Sequence, residues 1–180
     1  MIEIRDVQVE DAEGLIDVNI KTWQSTYKGI INDATLESLD FHRDARVQRY
    51  KNEFGSRMVD GEQMLGAVAM VKGQIVGFVT YGKARENPDN LDGLSEIYAL
   101  YVLEGYQGKK VGWKLVQYAV KKLVDSKKYN ALIIWTLKDN PSRGFYKHLG
   151  GQNKYHKTIE IAGQTLDEVG YLFDDINKMT

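Results

Sequence analysis

The residues with the most chemical content in this chain are six in a row, Gln107-Gly108-Lys109-Lys110-Val111-Gly112. They follow a run from Ile97 to Leu103 that is β-branched, aromatic or aliphatic with almost no polar break, the composition of a strand covered on both faces. They lead into Gly112, Leu115, Val116, Ala119, Val120 and Leu123, whose spacing makes one packed face of a helix. Lys114, Gln117, Lys121 and Lys122 take its other side. A helix begins with unpaired N–H groups and a partial positive charge, and small residues there let a phosphate approach the backbone. Lys109 and Lys110 add two mobile positive charges. Two readings follow: a diphosphate-binding turn, or an ordinary strand-to-helix connection with solvated lysines.

The elements around this unit are legible in outline. Ile2 and Ile4 alternate with charged residues in a short strand. Glu10, Asp11 and Glu13 put acid at the favourable end of a helix that continues through Ala12, Leu15, Ile16, Ile20 and Trp23. Trp23 and Tyr27, four apart, share a face and read as core anchors joining two helices. Gly29 is placed to end this helix. Asp33 can cap a short helix through Leu39, and 41–54 carries a third helical pattern. Residues 64–71 and 75–81 read as strands joined at Lys72-Gly73. Residues 85–93 are a polar loop, and 130–137 is another buried strand. Asn140 to Gly151 reads as a short helix with Pro141 in its first turn and Gly150 as its stop. Residues 155–161 and 165–173 form a last hairpin. This order predicts a mixed α/β fold, a central sheet with helices on both faces, in a single domain over 1–180.

Composition narrows the function classes. The 180 residues are 43% hydrophobic and 27% charged, with net charge -1. That balance suits a globular protein and gives no basis for bulk nucleic-acid binding. With no cysteine there are no disulfides, thiolate metal sites or thiol nucleophile. The N-terminus is charged from its third residue and no long apolar run exists, so neither a signal peptide nor a membrane span is expected, and a cytoplasmic location is the default. His42, His148 and His156 lack metal-site spacing, so no metal is expected, and nucleotide-loop, dinucleotide and α/β-hydrolase motifs are absent.

The strand, turn and helix at 97–123 resemble the acetyl-CoA-binding motif of the Gcn5-related N-acetyltransferase (GNAT) superfamily, written Gln/Arg-x-x-Gly-x-Gly/Ala. Gln107 and Gly112 match it; Lys110 stands where the first motif glycine usually sits, and is expected to shift the local backbone or to place an ammonium beside the diphosphate. Phe145-Tyr146-x-x-Leu149-Gly150 resembles a second family signature, and the element order resembles the whole GNAT fold, with about seven strands. The resemblance implies that strands 97–103 and 130–137 splay apart and that acetyl-CoA lies in the gap.

What the resemblance implies for residues is specific. Glu96 would be general base, directly or through water, against the plainer reading of a strand-end carboxylate in a salt bridge. Tyr146 would be general acid toward the CoA sulfur. Backbone at Leu100, Tyr101 and Val102 would meet pantetheine; Gln107, Gly108, Lys109, Lys110, Val111 and Gly112 would hold the diphosphate. Asn140 and Phe145 would line the cofactor, and Arg143 would point toward phosphate. Trp23, Tyr27 and Tyr98 would face the acceptor, a small-molecule or peptide amine. Glu86, Asp89, Asp92 and Glu96 read either as attraction for a cationic acceptor or as solvated loop acids. The family also makes a homodimer plausible, and leaves open a CoA-binding regulatory protein or an enzyme using another acyl-CoA.

Overall fold

A computed structural model describes residues 1–179, and its organising feature is a seven-stranded mixed sheet. In chain order the elements are β1 (Glu3–Asp6), α1 (Ala12–Thr26), α2 (Asp33–Phe41), α3 (Arg43–Glu53), β2 (Met58–Val59), β3 (Glu62–Gln63), β4 (Leu65–Val71), β5 (Gln74–Lys83), β6 (Leu94–Val102), α4 (Val111–Asp125), β7 (Ala131–Leu137), α5 (Arg143–His148), β8 (Gln152–Ile161) and β9 (Gln164–Phe173). The sheet order is β1-β4-β5-β6-β7-β9-β8, and β6–β7 is its parallel pair. The hairpins at Lys72-Gly73 and Ala162-Gly163 have both central residues at positive φ, as tight hairpin turns require. The same device at Asp60-Gly61 makes the small β2–β3 hairpin.

The helical stripe read from the sequence packs as expected. Leu115, Val116, Ala119, Val120 and Leu123 of α4 are buried against Ala67, Val79, Ile97, Leu132 and Ile134 of the sheet. Burying each such leucine or valine contributes roughly 1.5–3 kcal/mol. On the opposite face, Leu15 and Val18 of α1 pack on Val68 and Phe78. Among the described residues no helix is long and apolar enough to cross a membrane.

The sheet opens at its centre. β6 and β7 pair only through Leu94–Ile97 opposite Ala131–Ile134, although both strands continue further. The cause lies in β6. Thr80 of β5 faces Ala99 while Tyr81 faces Ile97, so Tyr98 is an extra, bulged residue. A bulge bends its strand and raises the local twist, and from this point β6 stays with β5 and leaves β7.

β6 also begins three residues earlier than the apolar run predicts. Ser95 and Glu96 belong to it, because each finds a buried partner: the Ser95 hydroxyl donates to the Ala131 carbonyl at 2.7 Å, and Glu96 meets Arg85. The last helix is shorter than expected, Arg143–His148, since Asn140 to Ser142 form its approach turn.

Candidate active site

The opening between β6 and β7 is a cavity of about 860 Å³. One wall is β6 from Ile97 to Val102; the other is Ile134, Trp135 and the α5 segment with Phe145 and Tyr146. Gln107, Gly108, Lys110, Val111 and Gly112 of the turn before α4, and Thr22, Ser25, Thr26 and Tyr27 from the end of α1, complete the lining. On β6 the edge toward β7 carries no ladder from Tyr98 to Val102, so its backbone groups face the gap.

The turn before α4 is built for an anion. Gly108 has φ 69°, and Lys110 itself adopts the left-handed conformation, φ 63° and ψ 12°. That conformation is rare and costly for a non-glycine residue, so the lysine keeps the backbone shape that the motif's glycine would give. No side chain caps α4, and the first internal bond runs from the Lys114 N–H to the Lys110 carbonyl. The N–H groups of Val111, Gly112 and Trp113 therefore lack helical partners. The two lysines differ. Lys109 donates to the Gly105 carbonyl at 2.8 Å and lies over the Tyr106 ring, which braces the turn. The Lys110 ammonium has no hydrogen-bond or ion-pair partner among the described residues. Gln107 donates to the Val102 carbonyl at 3.0 Å and ties the turn to the end of β6.

Tyr146 is 6% exposed, with Phe145 edge-on to its ring and Tyr171 tilted against it, and its hydroxyl forms no hydrogen bond among the described residues. Burial, with Tyr101 and Tyr171 nearby, pushes this phenol well above its ordinary value. It is a neutral donor at the cavity wall with its donation unspent. Asn140 is buried and fully used: it donates to Thr136 Oγ1 at 2.8 Å and Tyr27 Oη at 3.4 Å, and accepts from the Ser142 N–H at 2.8 Å. It fixes the α5 approach and joins it to α1.

On the acceptor side, the bulge decides where the tyrosines go. Tyr101 turns under α1, where its hydroxyl accepts from Trp23 Nε1 at 3.0 Å. Tyr98 donates to the Lys83 carbonyl, and Arg85 lies over its ring. Two polar groups of the cavity lining are buried without partners, the Thr22 hydroxyl and the Trp135 indole N–H. Such orphans are uncommon in native proteins and fit a site that a ligand completes.

Thirteen of the seventeen residues singled out from the sequence line the cavity; Glu96, Trp23, Lys109 and Arg143 do not. Glu96 is 1% exposed and lies beneath Arg85, whose backbone N–H donates to Oε2 at 2.9 Å and whose guanidinium donates to Oε1. It lies inside β6 rather than at its end and is not among the residues that line the cavity. Arg143 donates to Tyr171 Oη at 3.1 Å and to the Lys138 carbonyl at 2.6 Å. Glu86 and Asp89 are paired with Lys157 and Lys154, so with Glu96 on Arg85 most of the acidic stretch is neutralised. Trp135 and Trp113 line the cavity and escaped the sequence reading; a lone tryptophan inside the aliphatic run ALIIWTL was the available signal.

An opened mixed sheet with an uncapped helix start beside the gap is the arrangement that the sequence resemblance implied. The chain belongs to the GNAT family: the sequence model described as Acetyltransferase (GNAT) family matches residues 26–150. It is 27% identical, over 99% of its length and 96% of the relative's, to an uncharacterized N-acetyltransferase, YuaI, of Bacillus subtilis. It is 30% identical to a spermidine N(1)-acetyltransferase of Thermoplasma acidophilum over 67% of this chain and 69% of that protein. The fold matches the crystal structure of the PaiA N-acetyltransferase of Thermoplasma acidophilum in complex with coenzyme A, with TM-score 0.66, 21% identity and coverage of 94% of this chain and 98% of that one.

Proposed function

We propose that this protein transfers the acetyl group of acetyl-CoA to the primary amine of a small molecule by direct attack on the thioester. The observation that carries the reading is the β6–β7 gap, which runs from the uncapped start of α4 past the free hydroxyl of Tyr146. The diphosphate would lie on the N–H groups of 111–113 with the Lys110 ammonium beside it. Pantetheine would take the unpaired β6 edge at Leu100 to Val102, and those N–H groups would also stabilise the carbonyl oxygen as it gains charge. The amine nitrogen bonds to the carbonyl carbon, the C–S bond breaks, and the thiolate takes its proton from Tyr146. The acceptor nitrogen, neutral when it attacks, releases one proton to solvent at the open end of the gap as the amide forms, and the Tyr146 phenolate regains one from solvent, which closes the cycle. Glu96 acts in this scheme as the buried anchor of Arg85. The relative that acts on spermidine supports a small-molecule acceptor.

The test follows thiol release from acetyl-CoA across a panel of amines, with calorimetric titration of CoA alongside. Micromolar CoA binding and amine-dependent thiol release are expected. Binding without release for any amine would favour a CoA-responsive regulatory protein, and no binding would refute the proposal.

A further inference from the structure

We propose that Glu168 and the face of Trp135 form a subsite for a second positive charge on the acceptor, and that the Lys157 ammonium holds this subsite while it is free of acceptor. The inference rests on the acetyl-transfer reading and names the acceptor class for it: amines carrying a further cation beyond the reacting nitrogen.

The register places the parts. Trp135 of β7 lies opposite Gly170 of β9, and Leu137 lies opposite Glu168. Directly opposed residues share a face, and so do residues two apart on a strand, so Glu168 stands beside Trp135 on the acceptor face. Gly170 lets the indole lie across β9: a Cβ there would fall 3.1 Å from the ring. Trp135 thus walls the cavity on one side and roofs the neighbourhood of Glu168 on the other.

An ammonium already occupies this place. Lys157, opposite Glu168 on β8, puts Nζ 4.2 Å from the centre of the Trp135 ring, the geometry of a cation over an aromatic face. Its contacts are unequal. Glu86 Oε1 lies at 2.8 Å, a charge-assisted hydrogen bond, whereas Glu168 Oε2 lies at 3.7 Å, beyond one. Glu168 is only 18% exposed at its side chain and has no other ion pair among the described residues. Burial pushes its carboxyl above the usual range, even with Lys157 and Arg85 nearby favouring the charged form. Tyr27 and Tyr101 sense its charge from the α1 side and from β6. A half-buried carboxylate with a loosely held ammonium gains from a cation that approaches it directly, while Lys157 keeps Glu86.

Reach decides the role. The gap lies between β6 and β7, and β9 lies one strand beyond β7, so Glu168 is at least one and a half strand spacings, ~7 Å, from the middle of the gap. That is too far to take a proton from the attacking nitrogen and suits the far ammonium of a short diamine.

The experiment compares putrescine with n-butylamine, equal carbon chains with two ammonium groups and one. The ratio of their kcat/KM values, each referred to the concentration of amine with a neutral reacting nitrogen, is independent of the fraction of protein folded. A ratio of about 10 or more in favour of putrescine is expected. Glu168→Gln should bring it close to one, and Lys157→Ala should raise it further by lowering KM for putrescine. A wild-type ratio near one, or an unchanged ratio in Glu168→Gln, overturns the subsite. Putrescine binding to the CoA-loaded protein, followed by tryptophan fluorescence, gives a readout without turnover. If neither amine is acetylated, the acetyl-transfer reading fails for such amines, and saturable putrescine quenching lost in Glu168→Gln still upholds the subsite. No quenching in the wild type overturns it.

Discussion

Lys110 separates two effects that a glycine would merge, and its replacement tests both. The residue holds φ 63° and ψ 12° at the start of α4. A left-handed conformation costs an L-residue about 1–2 kcal/mol, and glycine's larger unfolded-state entropy returns roughly 0.5–1 kcal/mol of that. Lys110→Gly should therefore stabilise the fold by about 0.5–1 kcal/mol, a rise in Tm of about 2–3 °C for a chain of this size. The same change removes an ammonium without a partner among the described residues at the proposed diphosphate position, so CoA affinity should fall about two- to five-fold at low salt, with the difference shrinking as salt is added. Lys110→Ala keeps the strained backbone and loses only the charge: it should bind CoA as weakly as the glycine variant without the gain in Tm. Scanning calorimetry and isothermal titration at two salt concentrations read both quantities. A glycine variant that melts below the wild type, or an alanine variant that binds CoA as tightly as the wild type, would refute the reasoning.

Three further outcomes are expected. Tyr146→Phe removes a hydroxyl that has no hydrogen-bond partner among the described residues, so it should leave stability and CoA affinity near wild type while kcat falls about 100-fold; unchanged turnover would remove Tyr146 as the acid. Arg85→Ala strands the buried Glu96 carboxylate and should cost roughly 2 kcal/mol in urea unfolding, less than for a fully buried pair because Arg85 is 54% exposed. Adding Glu96→Gln should recover part of that loss, and an Arg85→Ala variant as stable as the wild type would discredit the pair as an anchor. Burial raises the phenols of Tyr27, Tyr81, Tyr98 and Tyr146 in the folded state. The unfolded chain releases those protons near pH ~10, so above that pH the native state binds more protons than the unfolded one and stability must fall as pH rises. A urea midpoint that stays level from about pH 9 to about pH 11 would contradict this.

The parts of the fold legible in the sequence were those with one dominant physical signal. The α4 stripe, the Lys72-Gly73 and Ala162-Gly163 turns and the aliphatic strands all declare themselves by spacing or by turn chemistry. Glu96 was harder, because a carboxylate after a polar loop reads as the edge of a strand. Its place within β6 depends on Arg85, eleven residues earlier, folding back over it. The bulge at Tyr98 was invisible for a related reason: it arises from a register between β5 and β6 that neither strand encodes alone. Arg143 looked free to meet phosphate until Tyr171, from the last strand, supplied its partner. In each case the decisive neighbour was distant in sequence. The β2–β3 hairpin is different: Asp60-Gly61 is a plain turn signal, flanked by strands too short to show alternation.

The short β6–β7 ladder has a mechanical consequence. Four residue pairs at one end are all that stitch β1-β4-β5-β6 to β7-β9-β8 across the sheet, with α4 as the tie-bar between the halves. Such a sheet is a pair of leaves on a short hinge. A molecule that bonds to the free edge of one leaf and packs on the other acts as a clasp, so occupancy should slow amide exchange at 98–102 and 135–137 far more than at the hinge, and raise the melting temperature with ligand concentration.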